Sequence, residues 1–359
     1  MREPDAARHR PPGAVVRIAF VLPGPVRVPQ GGALVVAQHA ERLAERGHDV
    51  TVLTPRSLGG SGGLVRDAAV RLWNRSQGIA EPAFKVDRVD VVVPARLGPL
   101  IYDAVIATGH QTANPVARQA KGRGFYFIQG DERVLGRGVP QTWHLPLGRI
   151  AVSRWVADLV EAHGAPVLGV VPNAVDHEVW GVDRDPGQRE DRIVALYHRH
   201  PVKGPETLVR ALEELKRLRP AVEADVFSAR SPSHRLPAWV GTHVRPSRSQ
   251  LRRLYNRAAV CLHTSRAEGW GLVPMEAAAC GCALVATASL GPREFLTPGT
   301  SMTEVPVGDG LALARQTARL LRNPALRARQ AHAAIESVQR FSWEDSTDRL
   351  EALLVEGVG

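Results

Sequence analysis

Glu268-Gly-Trp-Gly-Leu-Val-Pro-Met-Glu276-Ala-Ala-Ala-Cys-Gly-Cys282 is the stretch that decides how this chain folds. It reads as a loop running into a helix. The glycines let the backbone come close to a ligand. Pro274 suits the first helical turn, where its missing N–H costs nothing, and Glu276 is expected inside that turn. A helix start behind such a loop presents unpaired N–H groups and the positive end of a dipole, which suits a phosphate or diphosphate. Glu268 and Glu276 flank that place as carboxylates able to hold the hydroxyls of a sugar and a ribose. Two glutamates at this spacing mean nothing alone, because solvated surface acids give the same pattern. The surroundings carry the reading: an apolar strand, Ala258 to His263, comes before, and a second, Ala283 to Ala286, follows the small-residue helix. That order sets both acids at the carboxyl edge of a parallel sheet, where such folds bind ligands.

Working outward, the 359 residues exceed what one core usually holds, so two domains are expected. The chain is 44% apolar without an unbroken apolar run of membrane-spanning length, which argues for ample core and no membrane helix. The polar, Arg- and Pro-rich segment 1–13 lacks the apolar stretch of a signal peptide and is read as a disordered leader on a cytoplasmic protein. A net charge of +10 raises nucleic acid or an anionic membrane surface as partner. Only four of the cations are lysines, and no zinc-ligand spacing or aromatic RNA-binding signature accompanies the arginines, so no nucleic-acid partner is expected. Cys261, Cys280 and Cys282 lie in apolar surroundings and read as buried thiols rather than a disulfide framework or a zinc site.

Val15 to Leu22 reads as a first buried strand, Gly31-Gly32 as a turn into a helix, and Asp49 to Thr54 as a second strand, together half of a Rossmann-type unit. An ordinary helix-entry turn explains the glycine pair equally well. Leu64 to Arg75 is expected to be an amphipathic helix with Arg66, Arg71 and Arg75 off its apolar stripe. Such a helix either packs on its domain or touches an acceptor or a membrane. Thr108 to Ala113 is a polar turn at the end of strand Ala104 to Ala107, and Phe127-Ile-Gln-Gly-Asp-Glu132 ends another strand. Asp183-Arg-Asp185 sits in a charged run, Asp183 to Arg192, and reads as a solvated turn in a linker. After strand Ile193 to Tyr197 comes His198-Arg-His-Pro-Val-Lys-Gly204, whose Arg199 and Lys203 lie between a strand and a helix. Fixed cations there suit a diphosphate leaving group.

The Glu268 to Glu276 stretch resembles the Glu-x7-Glu motif of family 4 retaining glycosyltransferases, and His198 to Gly204 resembles the family's Gly-Arg-x(n)-Lys-Gly donor motif. Here His198 replaces the first glycine and the Arg-to-Lys gap is short. Pro172-Asn-Ala-Val-Asp176 is similar to the family's Pro-Asn-Gly-Val-Asp segment, with Ala174 for Gly. Ser289-Leu-Gly-Pro-Arg-Glu294 departs from its Gly-Gly-x-x-Glu by Leu290. The resemblance covers nearly the whole chain after Gly13 and is stronger in the second half.

It implies an α/β fold of GT-B type, two Rossmann-like domains with parallel sheets facing across a cleft. The first, 14–178, binds acceptor, the second, 179–340, binds nucleotide-sugar, and 341–359 is a helix crossing back to the first. The implied activity is metal-independent, retaining transfer of a sugar from a nucleotide-diphosphate donor, UDP-sugar as first guess, to a hydroxyl of a small-molecule or saccharide acceptor. A lipid-linked acceptor at the membrane surface stays open, with peripheral contact on the inner face. By the resemblance Glu268 orients the donor sugar, Arg199 and Lys203 hold the diphosphate with the amides of Gly271, Leu272 and Val273, and Glu276 binds the ribose. Gly31 and Gly32 reach the distal phosphate, His110 faces the reacting sugar, and Asp131 or Glu132 serves acceptor recognition, although a solvated turn explains those two acids as well. No metal or other cofactor is implied. A sugar-nucleotide epimerase, a phosphorylase or a catalytically lapsed basic surface-binding protein are the competing classes, and intact Glu268, Arg199 and Lys203 speak against the last.

Overall fold

A computed structural model describes residues 15–24, 31–56, 58, 88–136 and 138–355. The expected leader 1–13 and the helix 64–75 with Arg66, Arg71 and Arg75 lie outside these residues. The chain divides into two compact units, Met1–Pro172 with Trp343–Gly359, and Asn173–Ser342. The division falls at Pro172 and Ser342 rather than at 178 and 340.

The first unit holds a seven-stranded sheet of order β3-β2-β1-β4-β5-β6-β7. Its strands are β1 Arg17–Val21, β2 Asp49–Leu53, β3 Asp90–Val92, β4 Ala104–Ala107, β5 Arg123–Ile128, β6 Gly148–Ala151 and β7 Gly169–Val170. Every pairing is parallel. The central strands are sequestered on both faces, which is why they read as apolar runs rather than as alternating ones. Helices α1 Gly31–Glu45, α2 His110–Gln119 and α3 Arg154–Glu161 make the crossovers.

The second unit repeats the plan with six parallel strands in the order β10-β9-β8-β11-β12-β13. They are β8 Arg192–Leu196, β9 Glu223–Ser228, β10 Val240–Val244, β11 Val260–His263, β12 Ala283–Thr287 and β13 Thr303–Val305. The helices are α4 Pro205–Leu218, α5 Arg248–Arg257, α6 Leu272–Ala279, α7 Gly310–Arg322 and α8 Pro324–Gln339. The core of this unit packs Leu208, Leu212 and Leu215 of α4 against Leu313 and Ala314 of α7 over Ile193, Ala195 and Val226 of the sheet. Both sheets run outward from a point between their first and fourth strands, the order of a dinucleotide-binding fold, and ligands of such folds sit at the carboxyl ends of the strands where the order reverses.

The last helix, α9 Trp343–Val355, belongs to the first unit and packs on α1. Buried His39 meets Thr347 Oγ1 at 3.0 Å and stands edge-on to the Trp343 ring, while Arg42 and Arg46 pair with Glu344 and Glu351.

The charged run before β8 is no solvated linker throughout. Arg189 is 4% exposed and spends its guanidinium on neutral carbonyls: Tyr255 at 3.1 Å, Ala258 at 2.9 Å, Cys280 at 2.5 Å and Arg184 at 2.9 Å. Three of these close the carboxyl ends of α5 and α6, where a cation suits the helix dipoles. Asp183 does lie at the surface, in an ion pair with Arg252 at 2.5 Å, and Asp185 caps the turn at Pro186. The three cysteines are buried, as their apolar surroundings imply. Ala174 makes its turn without a positive φ.

Candidate active site

In the second unit the loops after β8 and β11 leave the sheet at its reversal point. Gly204 sits at φ 65°, and a Cβ there would lie 2.2 Å from the Thr264 carbonyl oxygen, so only glycine brings the first loop down onto the second. The two loops are stitched by Arg266 N–H to the Val202 carbonyl at 2.7 Å and by Thr264 Oγ1 to the Lys203 carbonyl at 2.9 Å. The result is an ion pair between residues 203 and 268: Lys203 Nζ donates to Glu268 Oε1 at 2.7 Å, and Ser265 Oγ donates to the same oxygen at 2.7 Å. Burial pushes the Glu268 carboxyl up, but Lys203, His263 and the Ser265 hydroxyl outweigh it and hold the group below its ordinary value. Glu268 is therefore a carboxylate at neutral pH.

The Glu268 loop rests on the turn after β12. Glu268 N–H donates to the Ser289 carbonyl at 2.9 Å, and Gly291 N–H reaches that carbonyl at 3.0 Å. Leu290 between them adopts φ 71°, ψ −54°, a γ-turn that side-chain-bearing residues rarely accept. A Cβ on Gly291 would strike the Trp270 carbonyl oxygen at 2.4 Å, so the two turns touch backbone to backbone.

Gly271, at φ 107°, starts α6 without a side-chain cap, leaving the amides of Leu272 and Val273 to a partner from outside the helix. Pro274 stands in the first turn as expected. Glu276 does not: no acid lies in the first turn, and Glu276 falls in the second. The helix begins at Leu272, two residues before Pro274, and this carries Glu276 past the end of the first turn. Glu276 Oε2 accepts from Tyr255 Oη at 3.1 Å. Its burial raises the carboxyl to about 7, against the pull of the Tyr255 hydroxyl and Arg248.

Arg199 lies exposed on the β8 loop, with Nη2 donating to the Ser231 carbonyl at 3.2 Å, and Lys203 is 29% exposed. Arg230, after β9, loses proton affinity first through burial and then through its like-charged neighbours Arg199 and Arg245. Arg199 thus belongs to a cationic edge formed by the ends of β8, β9 and β10.

In the first unit the reversal point is built differently. Thr108 Oγ1 ties the end of β4 to the Val21 carbonyl of β1 at 2.8 Å. Gly31 and Gly32 open α1, and a Cβ on Gly32 would come within 3.1 Å of the Gln129 side chain. His110 opens α2, and its backbone N–H donates to Glu132 Oε1 at 3.1 Å. Glu132 is 7% exposed, and its other oxygen takes the Tyr126 hydroxyl and, at 3.5 Å, the Trp143 indole N–H. It is not a solvated turn residue: burial raises its carboxyl above the ordinary value, and its oxygens hold α2 in place from inside the protein. Asp131 caps the turn Glu132–Leu135 and pairs with Arg133 at 2.8 Å. Burial lowers His110, so its imidazole is neutral at pH 7.

The second unit thus gathers Glu268, Lys203, Gly271, Leu272 and Val273 at one sheet edge, with Glu276 one turn along α6. The first gathers Gly32, His110 and Glu132. Sequence reasoning missed Ser265, Tyr255 and Arg189. Ser265 carried a signal in its place at the end of the strand before Glu268, whereas Tyr255 and Arg189 reach their partners across the fold and leave none. Among the described residues no group of three or more His, Cys, Asp or Glu stands where it can hold a metal ion. No described helix is long and apolar enough to cross a membrane.

Residues 183–337 match the family described as glycosyl transferases group 1. The chain is 28% identical over 370 residues to a phosphatidyl-myo-inositol mannosyltransferase of Mycolicibacterium smegmatis, covering 91% of this chain and 90% of that protein. It is 32% identical over 216 residues to a D-inositol 3-phosphate glycosyltransferase of Kribbella flavida, covering 52% and 51%. Among solved structures, Anabaena HepE in complex with UDP and glucose superposes with a TM-score of 0.72 at 17% identity, over 95% of this chain and all (100%) of that one. Sucrose-phosphate synthase from Thermosynechococcus elongatus gives 0.71 at 18%, over 94% and 98%. Both sheets run in the order such folds share, with the Lys203–Glu268 pair at the reversal point of the second; the chain has the GT-B fold of these neighbours, and its second unit is similar to the glycosyl transferases group 1 family.

Proposed function

We propose that the chain moves a sugar from a nucleotide-diphosphate donor, UDP-sugar in the first instance, to a hydroxyl of a small polyol or saccharide acceptor, with retention and without a metal ion. The observation that carries this reading is the Lys203–Glu268 ion pair set beside the uncapped start of α6. Lys203 and Arg199 supply the positive charge that a leaving diphosphate needs, and the Leu272 and Val273 amides add fixed donors to it. Glu276 in its ionised form accepts from the two ribose hydroxyls. Glu268 holds the donor sugar and, being ionised, stabilises positive charge that develops at its anomeric carbon as the diphosphate leaves.

The acceptor is read from the relatives, whose names share inositol bearing a phosphate, once in a lipid and once free. A phosphorylated polyol is therefore the acceptor class of choice, and peripheral contact with the inner face of the membrane follows if that phosphate belongs to a lipid. The family resemblance gives His110, neutral at the start of α2, a role toward the reacting sugar, and Gly31 and Gly32 a role toward the donor's distal phosphate. Glu132 serves the acceptor side by fixing α2.

Calorimetric titration of UDP, GDP, ADP and TDP into the wild type and Lys203→Ala, in the presence of a chelator, tests the reading. Selective binding of one nucleotide, weakened at least tenfold by Lys203→Ala, supports it and names the donor base. Absence of binding by all four, or binding that requires added metal, overturns it.

A further inference from the structure

His263 closes β11 directly beneath the ion pair. It is 4% exposed, and its Nε2 has no hydrogen-bond partner among the described residues. That nitrogen lies 3.7 Å from Glu268 Oε1, the oxygen already occupied by Lys203 and Ser265. A polar atom buried without a partner is costly, and one aimed at a site calls for an explanation. The groups facing the ring are Lys203 from the β8 loop and Glu268 from its own loop. The hydroxyl on neighbouring β12, Thr287 Oγ1, is turned to the backbone carbonyls of His263 and Ser265. Burial, first of all, brings the imidazole down to about 4, so it is neutral at pH 7. Of its two neutral forms, the one with the proton on Nε2 avoids setting a lone pair against a carboxylate.

We propose that His263 is a positioning residue that takes over Glu268 when the donor's diphosphate draws Lys203 away. The inference rests on the donor-site reading above. Without ligand, Lys203 is committed to Glu268. A diphosphate competes for the ammonium with more negative charge. On losing Lys203 the carboxylate keeps one neutral donor, Ser265, and an ionised group so placed is poorly compensated. The His263 Nε2–H is in line to replace it, and a shift of under about 1 Å brings it to hydrogen-bond distance. A neutral donor suits this hand-over better than a cation, which would neutralise the charge Glu268 offers to the reacting sugar. No proton changes hands in the exchange.

The test reads His263 directly, by nitrogen-15 NMR of histidine-labelled protein titrated with UDP. The expected result is a protonated, pyrrole-type Nε2 whose resonance moves on UDP binding, and whose donor-bound position is approached in Lys203→Ala without nucleotide. His263→Leu is expected to bind UDP within about twofold of wild type yet hydrolyse UDP-sugar at least tenfold more slowly, and His263→Gln, which keeps an N–H near the same place, to recover most of that loss. UDP binding that leaves the His263 resonance unmoved overturns the proposal. So does a His263→Leu variant that folds and hydrolyses donor at the wild-type rate. If no nucleotide binds the wild type, the donor-site reading itself fails, a result the titration reports separately.

Discussion

The two sheet-reversal points of this chain share a topology and differ in what they hold. Both lie between the first and fourth strands of a sheet ordered outward from them. In the second unit the loops there carry opposite charges in contact, Lys203 and Glu268, and an open helix start. In the first unit the corresponding place carries hydroxyls, a neutral imidazole and a carboxyl turned inward, with the start of α2 already occupied by Glu132. An open helix start offers its amides to an anion, whereas one filled by the protein's own carboxyl does not. The difference supports the proposal that the second unit carries most of the hold on an anionic substrate part. The fold supplies two equivalent edges, and side chains decide which edge does what.

That contrast can be broken most sharply at the ion pair. Glu268→Gln is expected to lower the transfer or donor-hydrolysis rate by roughly 10²–10³-fold, the size typical of removing a charge aimed at the transition state. Its circular dichroism should match wild type, and a rate within threefold of wild type defeats the assignment.

Next in size is a pH effect confined to the second unit. Glu276 has a folded-state value of about 7 against an ordinary 4.5. Between these the folded chain keeps a proton that the unfolded chain has released, so this group makes stability fall as pH rises from 4.5 to 7 and leaves it level outside that window. Ribose binding needs the carboxylate, so UDP affinity should climb as pH rises through 7, and Glu276→Gln should flatten that slope. Calorimetry from pH 5.5 to 8.5 measures both.

A change in the first unit should move stability but not nucleotide binding. Glu132→Gln replaces an oxygen that accepts with a group that donates, at a place where Tyr126 and the His110 N–H also donate, at a cost of about 1–3 kcal/mol. A melting temperature lower by several degrees with UDP affinity unchanged sharpens the contrast, and a loss of UDP affinity blurs it.

The smallest effect is expected at Leu290→Gly, which relieves the positive φ of the γ-turn at the price of a looser unfolded chain, for a net gain of about 1 kcal/mol or less. Thermal unfolding reads it.

The central strands of both sheets were legible because parallel strands covered on both faces are apolar throughout, as Ile193–Leu196 and Ala104–Ala107 are. Of the edge strands, β3 was legible as the apolar run Val89 to Val93, and the other three were not. Val240–Val244, placed in a loop-rich stretch, has a largely exposed pattern, and it is held by its pairing with β9 and by His243 Nε2 against Asp225 Oδ1 at 2.8 Å, partners that come from residues 224–228. The two-residue β7 and three-residue β13 are too short to show a strand pattern in the sequence. Within the candidate site, Glu268, Lys203 and Gly271 were readable because motif and helix entry are local in sequence. Glu132 looked like a surface acid, since nothing next to it announces that Tyr126 and Trp143 will close over it. Arg189 was taken for part of a charged linker for the same reason: its partners come from residues 255, 258 and 280. Glu276 was misplaced by one turn because proline marks the first turn without saying which residue of it.

Arg189 has a bearing on how the second unit assembles. Its guanidinium leaves water only when the carboxyl ends of α5 and α6 are both in place, because no single one of them supplies enough acceptors. A partly folded chain with one helix formed therefore strands a charge in a half-dry site. Such intermediates are raised in energy relative to both ends of the reaction, and the helix bearing Glu276 is bound into the same all-or-none transition as the one bearing Tyr255.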